Sequence, residues 1–198
     1  MSKNKVPPFL KLADSLKKDA LRFGAVTSIF FFKECFVAQG FTDSSFQRWK
    51  PSSTPLAGKR TLYKSGKLMH SIRKLEATDQ RLVVVADSEY AEMHNEGGYI
   101  TVTPQMKKYF WAMYYREAGK GIRTSRGGGQ YQSVKVGQKA RFCKAMALKK
   151  VGSKIKIDQR QFMGESRELM KLLDSWFNRS VTANFNKIGS EFTFKQVE

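Results

Sequence analysis

The sequence predicts a mixed α/β (α+β) chain, on three observations. Apolar residues near both ends recur at helical spacing. The middle holds short β-branched or alternating runs parted by turn residues. A second pair of helical stretches, rich in aromatics and lysine, interrupts those runs. At 198 residues the chain fits one domain, 1–198, with an inserted helix-loop-helix excursion at 104–152.

Pro7 and Pro8 suit a first helical turn, and Phe9, Leu12, Leu16, Ala20, Phe23 and Phe30 follow at near-3.6 spacing. The Phe cluster through Phe36 predicts burial from several sides, and Gly40 is the expected stop. Residues 40–67 carry Pro51, Pro55, Gly58 and Gly66 and predict an irregular connection, anchored to the core by Trp49. Ser71 to Ala77 and Arg81 to Ala86 read as strands, the second a β-branched run suited to a sheet core. Glu89 to Glu96 reads as a short helix capped by Ser88, and Tyr99 to Thr103 as a third strand.

Pro104 to Ala118 reads as a helix with Tyr109, Phe110, Trp111, Tyr114 and Tyr115. A basic, glycine-rich stretch follows, and Gly137 to Lys150 returns to helix. The reading is two helices joined by a mobile loop and inserted between sheet strands, with Ile155 to Ile157 re-entering the sheet. Arg167 to Asn186 is a helix with Leu169, Leu172, Leu173, Trp176 and Phe177 inward, and Glu191 to Val197 alternates as a last strand. Phe30, Phe31, Phe36, Trp49, Leu173 and Trp176 are expected to share one core.

Lys plus Arg number 36 against 17 Asp plus Glu, a net charge of +19. Charge of this size selects acidic partners: nucleic acid through counterion release, or an acidic protein surface. No apolar run approaches a membrane span, and the start lacks a secretion signal, which predicts a chain made in a cytoplasm that does not meet a membrane. Cys35 and Cys143 stand far apart without metal-ligand spacing, as buried reduced thiols would.

Chemistry is poorly served. His94 and Glu96 match half of a zinc-deaminase signature whose cysteine half is missing, and His70 and His94 are the chain's only histidines. Gly127 to Gly129 lacks phosphate-loop spacing. No metal, cofactor or catalytic residue is expected, and the chain reads as a non-enzyme. The glycine tip is either a plain flexible turn or a segment that orders on a partner through Arg116, Lys120, Arg123 and Arg126. The aromatic helix either stacks bases or packs on its neighbouring helix or subunit.

Four segments, in order, resemble the phage virion-morphogenesis family, the tail-completion proteins of phage Mu and P2 type. They are Phe36 to Phe41 running to Trp49-Lys50-Pro51; Leu62 to Ile72 with Ser65-Gly66; Tyr90-Ala91 with His94 and Gly97-Gly98; and Arg160-x-Phe162-x-Gly164-x-Ser166 before the last helix. The resemblance covers 9–100 and 154–187, not 104–152. Physically, Gly66 and Gly97 suit positive φ or close backbone approach. Tyr90 and His94 can share a helix face, Arg160 can pair a carboxylate, and Gly164 can turn the chain into a helix starting near Ser166.

The resemblance implies a small, mainly antiparallel sheet packed against the N- and C-terminal helices. It also implies a structural virion protein at the head–tail junction, in the tail or neck, assembled in the host cytoplasm. Its expected role is tail completion or termination, or head–tail joining, as an oligomeric ring. The expected partners are copies of itself, tail-tube and head-connector proteins, and DNA passing through the ring. The rival reading is a basic nucleic-acid-binding protein that uses the 104–152 hairpin.

Overall fold

The structure, a computed structural model, describes residues 9–58, 60–78, 80–119 and 137–191. It is a mixed α/β fold whose described residues form six helices and three antiparallel two-stranded sheets. The chain makes two compact units. One comprises Met1–Trp49, Ser65–Ala91 and Gln161–Glu198, the other Lys50–Lys64 and Glu92–Arg160.

The first unit is built on α1 (Phe9–Ala38) and α6 (Arg167–Glu191). The buried side of α1, Gly24, Ala25, Ser28, Phe32, Cys35 and Phe36, follows the helical repeat. Phe36 is fully buried, with Trp49 edge-on at 5.4 Å and Phe162 at 5.1 Å. Trp49 also donates its indole N–H to the Gln161 carbonyl at 2.7 Å, so it anchors its loop as expected. Higher on α1, Phe23 stacks on Trp176 of α6 at 4.5 Å.

Phe30 corrects the expected core: it is 68 % exposed, because position 30 falls on the helix side opposite Phe32 and Phe36. Leu172 and Phe177 are likewise exposed on α6. Residues 40–48 are not irregular. They form a hairpin of β1 (Gly40–Thr42) and β2 (Phe46–Arg48). Gln39, at φ 61°, ends α1 in the left-handed region. Gly40 serves close approach instead, since a Cβ there would lie 2.5 Å from the Gln47 carbonyl oxygen and the Phe46 ring.

The short helix α2 (Lys67–His70) leads into β3 (Ile72–Ala77), which pairs with β4 (Leu82–Ala86) around a bulge between Lys74 and Glu76. This ribbon lies on α1, where Gly24 admits the Leu82 side chain. The β4 residues are half-buried rather than sheet-core, because a two-stranded ribbon has one face to cover. At its end α6 continues through Glu191, past the expected Asn186. The expected strand 191–197 therefore begins in helix, and its remainder lies outside the described residues.

The second unit holds α3 (Ala91–Glu96) except its first residue, then β5 (Gly98–Thr101) and α4 (Pro104–Gly119). It continues with α5 (Gln138–Leu148) and β6 (Lys154–Ile157). Strand β5 pairs with β6, so the helical pair is inserted between two paired strands, as expected. The strands form three separate ribbons and not one sheet, because no ribbon pairs with another among the described residues.

Candidate functional site

Four joints fix the chain where the family-like segments stand. Gly66 (φ 75°) precedes α2, and its carbonyl accepts from the His70 backbone N–H at 2.9 Å. Gly97 (φ 73°) combines positive φ with close approach, since a Cβ would meet the Gln159 nitrogen at 2.8 Å. Arg160, 8 % exposed, does not take the expected carboxylate. Its guanidinium donates to the carbonyls of Lys50 (3.1 Å) and Asp158 (3.3 Å), tying two stretches of backbone far apart in sequence. Its backbone N–H donates to the His94 carbonyl at 2.8 Å. Burial, and then the Arg160 charge, hold the His94 ring below its usual pKa, so it is neutral.

The fourth joint starts α6. Gly164 (φ 137°) turns the chain into it. The buried Ser166 hydroxyl accepts from the Leu169 N–H at 3.1 Å and donates to the Thr42 carbonyl at 2.7 Å. Asp43, from the β1–β2 turn, accepts the Arg167 N–H at 2.9 Å, and that bond lowers its carboxyl pKa. An open depression of about 790 Å³ lies here, lined by Asp43, Gln161, Glu165 and Arg167, and Asp43 is engaged as the helix cap. These are fold-building contacts. Cys35 and Cys143 are free and buried, and burial pushes the Cys35 thiol up to about 12. Among the described residues no cluster of His, Cys, Asp and Glu is placed to hold a metal, and no helix is long and apolar enough to cross a membrane.

Charge singles out the second unit. Its segments carry 19 Lys and Arg against 4 Asp and Glu, a net +15, while the first unit's carry 17 against 13, a net +4. The helical pair shows how a basic segment folds. Thr103 caps α4 by accepting the Met106 N–H at 3.1 Å, and Pro104 takes the first turn. Small residues on α5, Ala140, Cys143 and Ala147, are buried at a three- and four-residue spacing that lets helices approach closely. Phe110 meets Phe142 across the pair at 6.3 Å, and the Lys144 ammonium lies 5.8 Å over the Tyr114 ring.

The aromatic helix is divided between the two readings open for it. Phe110 and Tyr114 engage α5, whereas Tyr109 (56 % exposed) and Tyr115 (66 %) face outward. Lys108 and Arg116 are exposed on that outer side, each seven residues from a tyrosine, Lys108 with Tyr115 and Tyr109 with Arg116. The structure places Arg116 on the last turn of α4, 3.6 Å from Glu117. Lys120, Arg123 and Arg126 lie outside the described residues, as does the tip expected to join the helices. Comparison with family models, with curated proteins and with solved structures gives no match.

Proposed function

We propose that this chain is a structural protein of a tailed-phage particle. It acts at the head–tail junction, in tail completion or termination or in head–tail joining, as a subunit of an oligomeric ring. The observation that carries this reading is the use made of three of the four family-like segments. Gly66, Gly97, Arg160 and Ser166 each hold a joint of the backbone, as motif residues of a building block do.

The apolar outer side of α1 supports a ring of identical copies. Val26 (65 % exposed), Phe30 (68 %) and Val37 (52 %) fall within about 40° of one another on the helix, opposite the side that packs inward. Exposed apolar residues gathered on one side of a helix mark a contact surface, here flanked by Asp19 and Lys33. The unit bearing this stripe has a net charge of only +4, so little repulsion opposes its contact with a second copy. The basic hairpin then remains for an acidic tail-tube or connector surface.

Electron microscopy of phage particles made without this protein tests the reading. Unattached heads beside tails of abnormal length are expected, and restoring the protein should restore joined particles. Normal, infectious particles in its absence would sink the assignment. Sedimentation of the purified protein tests the ring: Phe30→Asp should shift it toward monomer.

A further inference from the structure

We propose that the exposed face of the β5–β6 ribbon, with the turn that feeds it, binds the phosphodiester backbone of nucleic acid. The register pairs Tyr99 with Lys156 and Thr101 with Lys154, which puts these four residues on one face. All four are exposed, and the half-buried Ile100, Ile155 and Ile157 take the other face. Lys154 and Lys156 therefore stand on one side of an extended strand, about 6.6 Å apart along it.

The turn before β6 adds two more cations and fixes where they start. Residues Lys150 to Ser153 close a turn through the Ser153 N–H to the Lys150 carbonyl at 3.1 Å, with Gly152 at φ +85° as such a turn requires. The Ser153 hydroxyl donates to the same carbonyl at 2.7 Å. Val102, which follows β5, donates to the Ser153 carbonyl and accepts from the Gly152 N–H, at 2.8 and 2.9 Å. Lys149 and Lys150 are exposed beside this tied backbone, so four exposed lysines occur between 149 and 156. Among the described residues none of the four has an ion-pair partner, although Asp158 at the end of the same segment pairs with Lys50.

The occupant follows from what stands among the lysines. An acidic protein surface satisfies the charge, whereas a nucleic-acid strand also offers a base face to the Tyr99 ring, 60 % exposed, at every step. Every base has a π-face, and a row of cations with an interposed aromatic is how proteins follow a nucleic-acid strand. Lysines position phosphates without reading bases, so binding is independent of sequence. Duplex and single strands share the backbone chemistry, and Tyr99 separates them, because only unpaired bases are free to stack.

The test is fluorescence anisotropy of full-length protein with labelled single-stranded and duplex DNA of scrambled sequence, over a salt series. Affinity should fall linearly with salt on logarithmic axes. Lys154→Gln with Lys156→Gln should reduce that slope by about 0.9 per lost duplex contact, or about 0.7 for single strands. Tyr99→Ser should weaken single strands about fivefold or more and spare duplex. Lys11→Gln with Lys74→Gln removes the same charge from the first unit and should change little. Should the Gln pair fail to fold, Lys149→Gln with Lys150→Gln probes the turn, and the Lys→Arg pair at 154 and 156 should keep full binding. Equal effects of the 154/156 and 11/74 pairs, or polyglutamate bound as tightly as DNA, would overturn the assignment. This binding is separate from a place in the particle: its loss leaves the tail phenotype to decide that reading.

Discussion

The two units solve the same problem with different materials. The first buries large aromatics, with Phe36 between Trp49 and Phe162, and keeps its charges nearly balanced. The second holds its helical pair together with Ala140, Cys143 and Ala147, and carries most of the chain's excess charge. A thin, small-residue seam leaves the long side chains of a helix free to face outward. A unit that must present many lysines and exposed tyrosines can therefore fold without burying them. The lesson is that core chemistry and surface chemistry were chosen together in each unit.

The largest test of this contrast is Phe36→Ala. Removing a fully buried ring should cost about 3–5 kcal/mol, read from the denaturant midpoint, and a loss below 1 kcal/mol would show that the first unit does not rest on this residue. In the second unit the equivalent change is an addition. Ala140→Leu should cost about 1–3 kcal/mol by overpacking the seam, and a neutral result would mean that α4 and α5 have slack where Ala140 is fully buried. Ser166→Ala removes one of the two side-chain caps of α6, leaving Asp43, and the donor to Thr42, for about 1–2 kcal/mol, visible as faster hydrogen exchange in the first turn of that helix.

Smaller effects sharpen the comparison electrostatically. Folding lowers the His94 pKa, so the unfolded chain binds the extra proton first. The stability this neutral ring supplies is complete above the ordinary value of 6.5 and is lost as pH falls below it toward the depressed folded value. The melting temperature should therefore drop between about pH 7 and pH 5, and His94→Gln should flatten that drop. An unchanged slope in the variant would place the titration elsewhere. Arg116→Ser should be the mildest change, within about 0.5 kcal/mol by thermal unfolding, because Arg116 is exposed beside Glu117. A large loss there would mean that the basic surface also holds the fold together.

Periodicity made the elements legible. Helices α1, α4, α5 and α6 and strands β3 and β4 lie close to where apolar spacing and turn residues put them, since those signals are local. Gly66 and Gly97 were legible for the same reason: a positive φ is a property of one residue and its neighbours. The β1–β2 hairpin was not, because three-residue strands carry too few side chains to show alternation. The lysine face of the ribbon was also hidden, because it depends on which residue of β5 stands opposite which residue of β6.

Local signals in the sequence therefore set the mixed class, the long helices and the inserted basic pair. The tertiary structure alone decided which phenylalanines are core. Phe30 and Phe36 are chemically identical, and only the direction from which other elements reach α1 leaves one exposed and buries the other. It also decided that Arg160 serves the Lys50 and Asp158 carbonyls and not a carboxylate. An arginine's partner is whatever unsatisfied acceptor the folded backbone brings within reach, and residues 110 apart in sequence meet only when the chain is folded.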